Sequence, residues 1–557
     1  LSGGYSRVPD QKSLRLIARK SYDPDNGKFK YAFFEGAQTA DGVPVSEFDR
    51  IVLRNGANDR EFAGVRDELS QKLAQDYGYP VTQHCTPAAV FLNGEYYGYS
   101  WVHENYNDDY LATYFGGNKD NYEIVSNIED ADEGSERALE DYGKLYAYYD
   151  RDLTDDSTFA EYCGLVDIDN LMQYYCMQVF IANKDWPGNN YKAFRYYPSE
   201  GEEITSEFQD GRWRFMFFDA EYAWSLYGDR PNADTLRDLL SGTHMSGESK
   251  ALIALLARED MREKFAAAMS DLTANAFEKN HILETLDELS DSEQFYALDK
   301  GITSEWANRE TFANSRQQIR DFADIREYVV FRNMYKLFEW EKNTYTVSVT
   351  GAGGAVTTLN TQKRNGRGIL SAEYNCKCTV PLKAEIADGW EFVSWEINGV
   401  TYDTPEVELN ARTAGTDGRI IAKLNTKLSE TTDAPLQIKE ISTAKKAGYI
   451  VLYNPNSTEV STAGLYITDK PEKLDRWEIP ARSVPAYGEL LIVTDNNKTE
   501  SALHQLQANF SLKKGETLIL SDKGGNILAE VPVPDIPEGS VYALQDYGQY
   551  RAVPSAD

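Results

Sequence analysis

The sequence predicts an α+β domain over residues 1–342, followed by two all-β modules over 343–427 and 435–557. Three observations carry this. The first 340 or so residues mix short alternating runs with long stretches of three-four apolar spacing. At Tyr345 the character changes: Tyr345, Val347 and Val349 alternate, and Gly-rich turns follow from Gly351 to Gly354. A polar stretch over 425–434 reads as a linker, after which alternation resumes to the end.

Within the first domain, strands are expected at 13–17 and 50–53. A hairpin is expected over 90–97, where Asn93-Gly94 is a strong turn signal. Ile168, Met172, Tyr175, Val179 and Ala182 form one apolar face of a helix. That helix stops at Asn183-Lys184-Asp185-Trp186-Pro187-Gly188-Asn189-Asn190, a run of turn formers. A strand over 191–197 follows. A second one over 212–218 leads into Asp219-Ala220-Glu221, with Trp213 and Phe215 read as the buried side of a half-buried strand. Long helices over 250–289 and 304–338 close the domain. In the modules, 449–453 and 490–493 read as strands of a sandwich, and Trp390 and Trp395 as strand residues. The acidic run from Ile128 to Glu133 reads as a solvated loop, since it lacks the residue order of a calcium loop.

The chain of 557 residues carries a net charge of −32, which disfavours non-specific nucleic-acid binding. No apolar run reaches the roughly 18 residues needed to span a bilayer. The first residue is Leu1, so removal of a signal peptide or an upstream domain is expected. Five cysteines do not make a disulfide framework in a chain of this size; Cys85, Cys163 and Cys176 read as buried thiols, and Cys376 and Cys378 sit too close together to bridge. The five histidines show no paired zinc-ligand spacing.

The densest chemistry lies between Ile168 and Glu221. Oxygen ligands on a rigid turn and at a strand end can share one hard cation such as magnesium. Asp185 and Asn190 stand five apart on the turn, and Asp219 and Glu221 follow the strand. Arg54 and Asp59 are expected to form structural ion pairs with Arg66 and Asp67.

Five ordered pieces carry a family resemblance. They are Ser6-Arg7 with Gln11-Lys12-Ser13-Leu14-Arg15; Leu53-Arg54-Asn55-Gly56-Ala57-Asn58-Asp59 with Arg66-Asp67; Phe91-Leu92-Asn93-Gly94-Glu95-Tyr96-Tyr97-Gly98 with Glu104; the turn from Asn183 to Asn190; and Phe218-Asp219-Ala220-Glu221. Together they resemble the CotH kinase family, spore-coat and secreted proteins with an atypical protein-kinase-like fold. The resemblance implies ATP and Mg (or Mn) as cofactors and a Ser/Thr hydroxyl of an exported protein as acceptor. It implies Asp185 as catalytic base, and Asn190, Asp219 and Glu221 as metal ligands, with Asp219 also catalytic. Lys12 and Arg7 would contact the nucleotide, and Glu104 would orient Lys12 or join the metal shell. The chain departs from the family pattern at His103-Glu104-Asn105 and at Glu221.

The trailing modules resemble a divergent internalin-type B repeat and a bacterial lamin-tail domain, the latter on Ile438-Lys439-Glu440-Ile441, Gly464-Leu465-Tyr466-Ile467-Thr468-Asp469 and Trp477. Both imply an exported or cell-surface protein. The leading expectation is a secreted protein kinase. The alternatives are a catalytically weak surface protein in cell-envelope or spore-coat assembly or adhesion, and an enzyme that transfers a nucleotidyl group.

Overall fold

The computed structural model describes residues 3–555 except 25–26, 41, 127–129, 134, 229–230, 242–246, 291–308, 388–389, 429–435, 445–447, 495–505 and 546–547. It is a mixed α/β region followed by a region made mostly of strands.

The first sheet is antiparallel, in the order Leu14–Ile17, Arg50–Arg54, Glu95–Glu104, Cys85–Leu92. Asn93 and Gly94, with φ of 53° and 83°, make the tight turn that joins the last two strands. Side chains alternate across this sheet. Ile51 and Leu53 pair with Glu104 and Val102, and the apolar members of this face pack with Phe34, Phe48 and Val90 into a small core of their own. Val52 and Arg54 pair with His103 and Trp101 and face the opposite side, where the Arg66–Tyr77 helix lies. Asp59 anchors the start of that helix. It accepts hydrogen bonds from the amides of Ala63, Val65 and Arg66 and pairs with the buried Arg66 guanidinium.

The Ile168–Ile181 helix is buried on nearly every side, not along the single stripe its apolar spacing suggests. Asp167 caps its start by accepting from the Asn170 amide. At its end the buried Arg326 donates to the carbonyls of Val179 and Phe180, groups that helix geometry leaves without partners. Ala182, at φ 53°, turns the chain out of the helix. A second sheet, ordered Arg214–Phe215, Lys192–Tyr196, Tyr122–Ser126, Asp130–Glu133, follows. Asp130–Glu133 is therefore a strand where a loop was expected; Ile128 and Glu129 lie outside the described residues. The strand expected over 212–218 shortens to two paired residues. Beyond them the Met216 amide donates to Lys192 and that of Phe217 to Val81, so the backbone is satisfied outside a ladder.

The long helix expected over 250–289 is three: Gly247–Leu256, Glu259–Ala274 and Lys279–Ser290. The first break falls at Arg258, which is extended and held by Asp156 and Asp260. The last helix runs Arg309–Phe338; residues 304–308 lie outside the described set.

From Thr344 onward the regular elements are strands. A five-stranded and a four-stranded sheet span Thr344–Leu428, so the strand Arg419–Leu428 takes the first residues of the expected linker. A six-stranded and a four-stranded sheet from Gln437 to Pro554 enclose a separate core that includes Ile438, Ile450, Ile492 and Leu520. Trp395 is fully buried, and the Trp390 ring lies against Gly354, where a Cβ would fall 2.0 Å from it. All five cysteines are free; Cys376 is exposed and Cys378 buried, while Cys85 and Cys163 are only half-buried. Among the described residues no helix is long and apolar enough to cross a membrane.

The first β region shares one continuous apolar core with the helices before it. Asp271, on the Glu259–Ala274 helix and fully buried, sits at the junction. It accepts from Asn360 Nδ2, the Thr361 amide and hydroxyl, Gln362 Nε2 and Tyr374 Oη, at 2.5 to 3.0 Å. Every partner is a donor, so only an acceptor fits. Asp271→Asn presents an amide group to these donors and should lower stability by about 2–3 kcal/mol in urea unfolding; an unchanged midpoint would show that the two regions are not tied here.

Candidate active site

A cavity of about 330 Å³ lies where the first sheet, the Asn183–Asn190 turn and the Asp219 segment meet. Gly3, Gly4, Ser6, Ser13, Val52, Arg54 and Asn58 line one side, and Asp185, Asn189, Asn190, Asp219 and Glu221 the other. Asn55 holds the N-terminal loop against it: its side-chain amide donates to the carbonyls of Ser6 and Gln11, and its oxygen accepts from the Ser13 hydroxyl. Gly3 has φ 78°, and a Cβ there would meet Ser6 Oγ at 2.1 Å, so this close approach requires glycine.

The turn after the Ile168–Ile181 helix presents its polar groups together. Asp185 is half-buried and accepts from Asn189 Nδ2 at 3.0 Å and from Asn190 Nδ2 at 2.8 Å. With its nitrogen committed to Asp185, Asn190 keeps its side-chain oxygen for another partner. Asn190 and Asp219 both have left-handed backbones, φ 57° and 53°. Such conformations recur at functional sites and are best tolerated by Asn and Asp.

Asp219 and Glu221 meet Arg54. Its Nη2 lies 2.5 Å from Asp219 Oδ1, 3.0 Å from Glu221 Oε2 and 3.4 Å from Asp67 Oδ2. Glu221 also accepts from the Asn58 amide and side chain. Burial, then the neighbouring Asp219 carboxylate, pushes the Glu221 carboxyl well above the usual range. Burial works against charge on Arg54, but Asp219, Asp67 and Glu221 outweigh it and hold the guanidinium protonated. Asp219, Glu221 and Asp67 thus gather carboxyl oxygens around one guanidinium, the hard-oxygen donor set that a divalent cation takes.

Behind Arg54 lies a second group. Asp67, Glu68 and His103 are buried, with ligand atoms within 4.8 Å of one another; among the described residues no other three of His, Cys, Asp or Glu come so close. His103 Nε2 is 2.9 Å from Glu68 Oε1. Burial pushes His103 down to about 4, and burial followed by the Asp67 charge pushes Glu68 well up. The imidazole is thus neutral at neutral pH.

Of the residues expected at the site, the structure brings together Asp185, Asn190, Asp219 and Glu221. Lys12, Arg7 and Glu104 lie elsewhere. Sheet alternation gives the reason: Glu104 pairs with Ile51, on the face away from Arg54, and is buried there accepting from His84 and the Tyr114 hydroxyl. Ser13, not Lys12, has the parity that faces the cavity. The Lys12 amide is held by the Tyr97 hydroxyl and its Nζ donates to the Val8 carbonyl. Arg7 is exposed in a 3-10 turn. Arg54 stands in the cavity instead. The expected Arg54–Asp67 and Arg66–Asp59 pairs are present, but Arg54 is more than structural. Its parity with Val52, at the end of a strand that leads into the Asn55-Gly56 turn, was the available signal. A larger groove of about 740 Å³ beside Tyr328, Phe331 and Trp340 has no comparable set of paired acids and amides among its described lining residues.

The family model described as CotH kinase protein matches residues 1–330. The chain belongs to this family. No curated protein matches it. Membership makes this a kinase-like protein and implies nucleotide, divalent metal and a protein substrate in general. The oxygen set of Asp219, Glu221 and Asn190, beside a glycine-lined loop, fits a cation-bound phosphate chain.

The buried imidazole makes a sign-definite pH test. With a folded pKa of about 4 against an ordinary 6.5, the unfolded chain binds the extra proton between these values. The stability His103 contributes is complete above 6.5 and is lost as pH falls towards 4, by about 3 kcal/mol. The difference between wild type and His103→Gln, in which Glu68 is common to both, should show this slope in pH-dependent urea unfolding. A flat difference would contradict a buried neutral imidazole.

Proposed function

We propose that this protein is an atypical, metal-dependent protein kinase that transfers the ATP γ-phosphate to a Ser or Thr hydroxyl, with the cavity at Asp185 and Asp219 as its active site. The observation that carries this is the convergence of Asp185, Asn190, Asp219, Glu221 and Arg54 on one cavity.

Asp185 takes the proton of the acceptor hydroxyl as that oxygen forms its bond to the γ-phosphorus; the bond from phosphorus to the β-phosphate oxygen breaks, and ADP leaves. Asn189 and Asn190 hold the Asp185 carboxylate in place for that proton. Asp219, Glu221 and the Asn190 side-chain oxygen would hold Mg or Mn, which supplies charge neutralisation of the phosphates when bound. Glu221 has one more methylene than the Asp of a common Asp-x-Asp strand end, and Asn58 fixes its reach by two hydrogen bonds.

We read the two β regions as a divergent internalin-type B repeat and a lamin-tail sandwich, and the protein as exported to the cell surface or beyond. Sequence resemblance supports both readings. Exported or surface proteins, including cell-envelope or spore-coat components, would then be its partners. The competing reading, a catalytically silent assembly or adhesion protein, draws on Arg54 already pairing with Asp219 and Glu221.

Intact-mass analysis after incubation with ATP and manganese, alone and with casein as acceptor, separates these readings. A phosphate-sized increment should appear and fall at least 100-fold in rate in Asp219→Asn and in Asp185→Asn. An adenylate-sized increment would replace kinase by nucleotidyl transfer. No increment on either protein, together with no ATP-dependent rise in melting temperature, would leave the assembly reading.

A further inference from the structure

Arg54 is the one basic side chain among the described residues that line the cavity. Its side chain is 17% exposed, and each of its carboxylate contacts is made by the same nitrogen, Nη2. Two of those partners, Asp219 and Glu221, are the carboxylates a divalent cation would use. The third, Asp67, belongs to the first turn of the Arg66–Tyr77 helix, where its other oxygen accepts from the Ala220 amide at 2.9 Å. A guanidinium and a dication brought to Asp219 Oδ1 and Glu221 Oε2 compete for the same oxygens and repel each other. When the dication takes those oxygens, Asp67 still holds Arg54 at the cavity wall. Released from Asp219 and Glu221, the planar guanidinium can turn its fork to phosphate oxygens, the anion it matches best.

We propose that Arg54 is the phosphate-contacting cation of this site, and that it exchanges with the divalent cation on Asp219 and Glu221. Without metal, Arg54 closes onto both carboxylates and is withheld from nucleotide. With metal, it is handed to the phosphates. Metal and ATP therefore bind with positive coupling, through a side chain and not only through direct metal–phosphate contact. The inference rests on the kinase reading above, because it assigns the same cavity to metal and nucleotide.

The test is binding, not turnover. Manganese affinity is measured by electron paramagnetic resonance and ATP affinity by calorimetry, on the full chain, for wild type, Arg54→Met and Arg54→Lys. Arg54→Met should bind manganese alone about tenfold tighter than wild type, because the competitor is gone, yet bind ATP with manganese about tenfold weaker or worse. Arg54→Lys keeps the charge and guards against a folding defect. It should match wild type in manganese affinity and circular dichroism but lose about tenfold in ATP, lacking the fork. Manganese bound equally by wild type and Arg54→Met would overturn the exchange while leaving the metal site standing. Full ATP affinity in both variants would overturn the phosphate contact. A wild type that binds neither manganese nor ATP would remove the kinase reading and this inference together.

Discussion

The contact of one guanidinium with three carboxylates organises this molecule's chemistry. Arg54 ends a strand of the first sheet, Asp67 opens the helix behind it, and Asp219 and Glu221 follow the second sheet. A strand, a helix and the segment after the second sheet are thus fastened at one point. Burying a lone acid at such a place would be prohibitive, whereas a shared cation makes a cluster of acids tolerable. The chemistry of the cavity follows from this gathering of carboxyl groups on one shared cation.

How much of this was legible beforehand depended on the physical rule involved. Local rules worked: turn formers after Ala182 mark the place where Asp185 and Asn190 project, and Asn93-Gly94 makes the hairpin. The acidic pair beyond Phe218 also falls in the cavity. Pairing across a sheet could not be read from one strand at a time. Lys12 and Glu104 lie at positions whose parity turns them from the cavity, and that parity is set by which residue sits opposite Ile51 and Val52. The burial of the Ile168–Ile181 helix was hidden for a similar reason. Asn170, Tyr174 and Gln178 lie off the apolar face that the spacing marks, and neighbouring elements cover them.

The β region after Phe338 shows a different kind of dependence. Its alternation and glycine turns are those of a free-standing module, yet its core runs into that of the helices. The Asp271 cage of five donors makes the junction directional. Nothing in the spacing of Asp271 distinguishes it from an exposed helical acid. Its role is fixed by a turn some 90 residues later, a contact only the folded chain creates. The final β region, by contrast, closes around its own core.

Anomalous diffraction from crystals grown with manganese and a non-hydrolysable ATP analogue would locate the chemistry directly. A manganese peak bound by Asp219, with phosphates in the cavity between Arg54 and Asp185, is the expected result. A peak confined to Asp67, Glu68 and His103, or phosphates seated beside Lys12 instead, would contradict the assignment of this cavity as the active site.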